Sequence, residues 1–158
     1  MVDPYARLSE LGLTLPKPSL PKGSYAPMVE SLGMVYISGN LPILEDGALL
    51  SPGLCGAGVG VDEAAEAARL CALHIIGRLH DYLTSLAHVD QIVKLVGFVA
   101  ATASFRDHPQ VINGASDLFV EVFGDRGRHA RSAIGVASLP LGSCVEVEAI
   151  VRISPEAR

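Results

Sequence analysis

Between Cys144 and Ile153 apolar residues recur at every second position: Val145, Val147, Ala149, Val151 and Ile153 share one face, and Cys144, Glu146, Glu148 and Arg152 the other. A period of two sustained over this length is a β-strand with one side buried. The rest of the chain must then supply a sheet for that strand and a cover for its apolar side.

The cover is visible in two segments of helical period. Asp62 to Ala87 places Ala64, Ala68, Ala72, Ile75, Ile76, Leu79, Leu83 and Leu86 at three- and four-residue spacings, one apolar stripe. Asp62 is the expected N-cap, with Glu63 and Glu66 at the positive end of the helix dipole. A second helix is expected from about His108, with Asp107 or His108 as cap and Pro109 at the first position. Its stripe is Val111, Ile112, Ala115, Leu118, Phe119 and Val122, and Gly124 ends it.

Strands fill much of the remainder. Tyr25 to Gly39 reads as a hairpin turning at Leu32-Gly33, Gln91 to Phe105 as one long strand, and Arg131 to Ala137 as another, followed by a turn at Leu141-Gly142. Leu44 to Val61 is a glycine-rich loop with room for one short strand near Leu49 and Leu50. Pro4 to Leu11 is a short helix closed by Gly12, and Leu15 to Gly23, with Pro16, Pro18 and Pro21, is an extended connector. The order predicts an α+β fold, a mixed β-sheet with two helices packed on one face. The opposite face is left open, and apolar residues on it need a partner.

Composition narrows the function. A chain of 158 residues suits one domain. Only 5% is aromatic and there is no Trp, so the core is built from Val, Ile, Leu and Ala. The mean hydropathy of +0.38 is high, yet no apolar run approaches the roughly 18 residues of a spanning helix. Met1 to Leu13 carries Asp3, Arg7 and Glu10, unlike a signal-peptide core. Apolar surface buried between copies of the chain is therefore expected, not a membrane.

A net charge of −5, with the only basic cluster at Arg126, Arg128 and Arg131, speaks against a nucleic-acid partner. Cys55, Cys71 and Cys144 are odd in number and lack C-x-x-C spacing, against a disulfide framework or a zinc site; a cytoplasmic location is expected. Cys71 and Cys144 read as small core residues. No histidine pair has ligand spacing, and there is no G-x-S-x-G elbow or phosphate-cradling glycine motif, so neither a metal nor a cofactor is expected.

One pairing of unlike charges stands out. If the last two strands form an antiparallel hairpin, Arg131 lies near Glu148 or a residue beyond it, at the end far from the turn. Two readings remain open: an exposed cross-strand ion pair, worth little, or a guanidinium fork for a substrate carboxylate with a carboxylate near for proton transfer. Tyr25, Asn113 and Ser38-Gly39 carry no signal of their own.

Three segments in order resemble the YjgF/Rid family, also labelled endoribonuclease L-PSP, which has a chorismate-mutase-like fold. ARSAIGVASLPLGSCVEVEAIV, Ala130 to Val151, is similar to its Arg-Ser, Leu-Pro and E-x-E-A signature. GSYAPMVESLGMVYISGNLP, Gly23 to Pro42, resembles its tyrosine-bearing hairpin, and PQVINGASDLFVEVF its asparagine-bearing helix. The resemblance implies a homotrimer with clefts between subunits that bind small carboxylated metabolites. It further implies a deaminase hydrolysing 2-imino or enamine acids to 2-keto acids and ammonia; the alternative is a non-catalytic sensor of small carboxylic acids. By the same likeness Arg131 clamps the carboxylate and Glu146 positions the water. Tyr25, Gly39, Asn113 and the backbone at Ala133 line the pocket, Ala133 standing where the family often has Cys. The long loop at 44–61 and an N-terminal extension, residues 1–22 ahead of a domain at 23–158, suggest a distinct subgroup.

Overall fold

The computed structural model of the chain describes residues 2–18 and 23–157. Its elements are α1 (Pro4–Glu10), β1 (Met28–Ser31), β2 (Met34–Asn40), β3 (Leu54–Cys55), β4 (Gly58–Val59), α2 (Val61–Leu83), β5 (Val89–Ala100), α3 (His108–Phe123), β6 (Ala130–Val136) and β7 (Val145–Ile153). The five long strands form one mixed sheet in the order β1-β2-β7-β5-β6, and β3 and β4 make a small parallel pair. The expected α+β class stands, with α2 and α3 on one face of the sheet.

The strictly alternating β7 lies inside the sheet, antiparallel to β2 on one side and to β5 on the other. Val145, Val147, Ala149, Val151 and Ile153 all point into the core, as their period requires. Helix α2 buries Ala64, Ala68, Cys71, Ala72, Ile75, Ile76 and Leu79 against them, and α3 buries Ile112, Leu118 and Phe119. The two helices meet closely where Gly114 faces the Ala65 carbonyl, with no room for a Cβ between them. The three thiols are free and buried. Burial pushes that of Cys144 up to about 12, so it behaves as a small apolar group.

Several boundaries differ from expectation. Helix α2 starts at Val61, with Gly60 rather than Asp62 as N-cap, and the Glu63 carboxylate accepts the Gly60 N–H at 2.8 Å. It stops at Leu83 because Thr84 turns left-handed, φ 60°. Leu86 nevertheless stays buried in the following 3₁₀ turn, which prolongs the apolar stripe past the helix end. Strand β5 ends at Ala100, short of Phe105. In the glycine-rich loop the strands fall at Leu54–Cys55 and Gly58–Val59, while Leu49 makes only an isolated bridge to Ile43. The turn at Leu32-Gly33 is as expected, both residues having positive φ, the two-residue hairpin geometry that follows sheet twist.

A third helix, α1, joins the helical layer. The Leu86 N–H donates to the Tyr5 hydroxyl, which in turn bonds His80 Nδ1, each at 2.9 Å, and Arg7 Nε donates to the Glu121 carbonyl of α3 at 3.0 Å. The boundary placed after residue 22 falls within 19–22, outside the described residues.

The largest revision concerns β6 and β7. They are not a hairpin: β5 lies between them, and β6 runs parallel to β5 after the α3 crossover. β6 is therefore an edge strand, with half of its backbone N–H and C=O groups turned away from β5.

Candidate carboxylate-binding site

Strand register sets where each candidate side chain points. Leu95 pairs with Arg131 on one side and Ala149 on the other, so these three share the helix-covered face. Phe98 pairs with Ile134 and Glu146, which share the open face. Arg131 and Glu146 thus project from opposite faces of the same sheet. The cross-strand ion pair considered from the sequence does not form.

On the helix face, Arg131 reaches α3. Its Nη1 donates to Asn113 Oδ1 at 2.8 Å and to Ser116 Oγ at 3.1 Å. Both N–H groups of Nη1 are engaged, and among the described residues nothing bonds the Nε–Nη2 edge, which is left as a two-pronged donor at the border of the sheet. That edge matches a carboxylate held bidentately. Ala133 follows on the same face of β6, half-buried against the core.

On the open face, Glu146 stands beside Gly39. A Cβ at Gly39 would fall inside van der Waals contact with the Glu146 carboxylate. Burial raises the Glu146 pKa above its ordinary 4.5, and the charge of Glu148 adds to the rise. A carboxyl so shifted is a stronger base when ionised. Close by, a pocket of about 270 Å³ opens between β2 and β7, bordered by Tyr36, Ser38, Glu148 and Ile150.

Gly39 owes its position to a bulge in β2. The register shifts between Ile37 and Asn40. Asn40, buried, donates to the Ser38 carbonyl at 2.7 Å and accepts from Arg78 Nε of α2 at 2.8 Å. Tyr25, 56% exposed ahead of β1, has its phenol within electrostatic reach of the same Arg78. Of the six residues read from the sequence, the structure joins Arg131 with Asn113 and Gly39 with Glu146. Ala133 lies two residues along from Arg131, and Tyr25 belongs to neither pair.

Because Gly39 occupies the space of a side chain only at the edge of a movable carboxylate, the substitution Gly39→Ala separates site from fold. The expected result is a Tm within about 1 °C of the parent, as for other exposed changes. The Glu146 carboxylate is expected to be pushed aside from its place beside β2. Thermal melts and a crystal structure of the variant check this.

Sequence reasoning missed Ser116, which is bonded to Arg131, and His129, which is bonded to Ser116, as well as Arg78 and Asn40. Asn113 and Ser116 sit three apart on α3 and so share one face. That spacing was the one available signal. The basic cluster also disperses: Arg126 donates to the carbonyls of Val89 and Val2, Arg128 pairs with Asp125, and Arg131 turns to α3.

No helix among the described residues is long and apolar enough to cross a membrane. A family model described as "YjgF/chorismate mutase-like, putative endoribonuclease" matches residues 5–152. Protein TCP17 of Trypanosoma cruzi is 42% identical over 150 residues, covering 94% of this chain and 93% of that protein. The solved structure of Atu1372 from Agrobacterium tumefaciens, described as of unknown function, is 43% identical with a TM-score of 0.89, covering 96% of this chain and 92% of its own. A "putative endoribonuclease" from Shewanella oneidensis is 34% identical with a TM-score of 0.92, covering 96% and 99%. With the signature segments, the sheet order and nearly the whole length in agreement, the chain belongs to the YjgF/chorismate-mutase-like family.

Proposed function

We propose that this chain hydrolyses 2-imino and enamine acids to 2-keto acids and ammonia, in clefts formed between copies of itself. The observation that carries the reading is the Arg131 guanidinium. It is anchored to α3 through Nη1 alone and offers its Nε–Nη2 edge at the border of the sheet. A small carboxylate docked there places its α-carbon next to the free edge of β6, where outward backbone groups near Ala133 can hold the imine.

Glu146 cannot reach that carboxylate through its own sheet, since it projects from the other face. A neighbouring copy supplies it. The open face presents Val29, Tyr36 and Ile134, each about half exposed. This apolar surface suits burial against the edge of a second chain, and the family likeness supplies the number of copies, three. Arg131 of one subunit and Glu146 of the next then flank one cleft.

The chemistry follows from those placements. The ionised Glu146 takes a proton from water as the oxygen bonds to the imine carbon. With the imine bound in its protonated form this gives a neutral carbinolamine, to whose nitrogen Glu146 returns the proton. Glu146 then takes the carbinol hydroxyl proton as the C–N bond breaks, and the departing ammonia carries that proton off as ammonium, leaving the keto acid. An enamine enters the same path after protonation at its β-carbon. The uncatalysed reaction is already fast, so holding carboxylate, carbon and water in register supplies much of the rate. Small acids, not RNA, suit a chain of net charge −5 whose arginine cluster is dispersed. Three free, buried thiols suit the cytoplasm.

The test generates 2-iminopropionate in situ with an amino-acid oxidase and follows its capture by semicarbazide, with mass measured by light scattering. The expected outcome is faster loss of imine than in buffer and a particle three times the 16.5 kDa chain. Carboxylate binding with no change in imine lifetime would replace deamination by sensing.

A further inference from the structure

We infer that Ser116 and His129 are positioning residues that aim the Arg131 guanidinium, and so set the affinity of this chain for carboxylates. The inference rests on the reading of Arg131 as the carboxylate clamp and adds what holds that clamp in place.

A chain of hydrogen bonds with one possible direction runs away from Arg131. Nη1 can only donate, so Ser116 Oγ accepts from it at 3.1 Å. The Ser116 hydrogen is then free to point elsewhere, and His129 Nε2 lies 3.0 Å away. His129 Nδ1 lies 2.6 Å from the Gly127 carbonyl, which can only accept, so Nδ1 carries the ring proton. A neutral imidazole protonated at Nδ1 leaves Nε2 as the acceptor that Ser116 needs.

The surroundings keep the imidazole neutral. Burial lowers its pKa below the ordinary 6.5, the bond to Gly127 acts against this, and the charge of Arg131 lowers it further. The Phe119 ring packs on His129 edge-on at 6.1 Å between centroids, fixing its orientation.

The consequence lies in the geometry of the guanidinium. Its five N–H bonds share one plane, so two acceptors on Nη1 fix that plane and the direction of the Nε–Nη2 edge. Asn113 is exposed and supplies one acceptor from α3. Ser116, the other, is useful only if its own hydrogen points away from Arg131, and His129 ensures this. Without His129 the hydroxyl can rotate and the fork swings, although no group that touches the ligand has been removed.

The test compares the parent with Ser116→Ala, His129→Ala and His129→Gln, the last placing an amide oxygen near the site of Nε2 without a titratable ring. Pyruvate, a product of the proposed reaction, is the binding probe. The two alanine variants are expected to melt near the parent temperature. Their Kd for pyruvate and KM for 2-iminopropionate should rise about 5- to 20-fold, kcat should fall less than KM rises, and His129→Gln should recover most of the loss. Folded alanine variants that bind pyruvate like a binding-competent parent overturn the inference while leaving the clamp reading intact. A long-range ¹H–¹⁵N spectrum near pH 7.5 tests the chain without any ligand. A protonated Nδ1 and bare Nε2 are expected at His129, and a protonated Nε2 overturns the inference even if the parent binds no carboxylate.

Discussion

Arg131→Ala is expected to lower kcat/KM for small 2-imino acids by at least about a hundredfold. Two hydrogen bonds from a guanidinium to a carboxylate are each worth about 1.5–3 kcal/mol, and about 1.4 kcal/mol is a factor of ten. The loss should appear mainly in KM and in carboxylate binding. The fold should survive, because Asn113 is exposed and Ser116 half-buried, so their released groups can hydrate. Arg131→Lys is expected to fail nearly as badly. A lysine ammonium is a point charge that cannot hold two acceptors on α3 and still offer a planar fork. The imine-capture assay, with pyruvate titrations alongside, reads all three proteins. A lysine variant with parental affinity would show that charge alone binds the ligand.

Glu146→Gln is expected to separate activity from stability. Loss of the group that carries the proton should lower kcat about a hundredfold, the low end of what general acid–base groups contribute, because imine hydrolysis is intrinsically easy. Stability should move the other way. The folded pKa of Glu146 lies above its ordinary 4.5, first because of burial and then because of Glu148. Between those two values the folded state binds more protons than the unfolded state, so the parent loses stability as the pH rises through the folded pKa. Glutamine never ionises and escapes that loss. Melts are therefore expected to show Glu146→Gln with the higher Tm at pH 7.5. The gain should shrink as the pH falls and be lost below the ordinary 4.5, where the parent carboxyl becomes protonated in both states. A glutamine variant less stable than the parent at pH 7.5 would show that Glu146 is stabilised by its neighbours and is not poised as a base.

Much of the fold was legible because periodicity is local. The alternation through β7 and the stripes of α2 and α3 follow from which residues must face a core, and all three were placed to within a few residues. The ends were harder. The apolar stripe continues to Leu86, which is buried whether or not the backbone stays helical, so only the left-handed Thr84 marks the stop. Gly60 caps α2 because Glu63 reaches back to its N–H, which hides the cap in a residue with no side chain.

The site was legible by resemblance and not by spacing. Arg131 and Glu146 lie on consecutive strands linked by residues 137–144, and proximity in sequence suggested a hairpin. The α3 crossover instead returns β6 parallel to β5, and the chain then passes β5 to insert β7 beside β2. That insertion puts the two residues on opposite faces, where no pattern within either strand could reveal it.

By itself, then, the sequence determined the α+β class, the buried face of each element and the residue types available for chemistry, because side-chain period reports burial one element at a time. The tertiary structure alone decided that Arg131 leans on Asn113 and Ser116, that Glu146 lies against Gly39, and that the two halves face apart. Strand order and helix docking arise from contacts between distant segments, and those contacts leave no mark on the period of either partner.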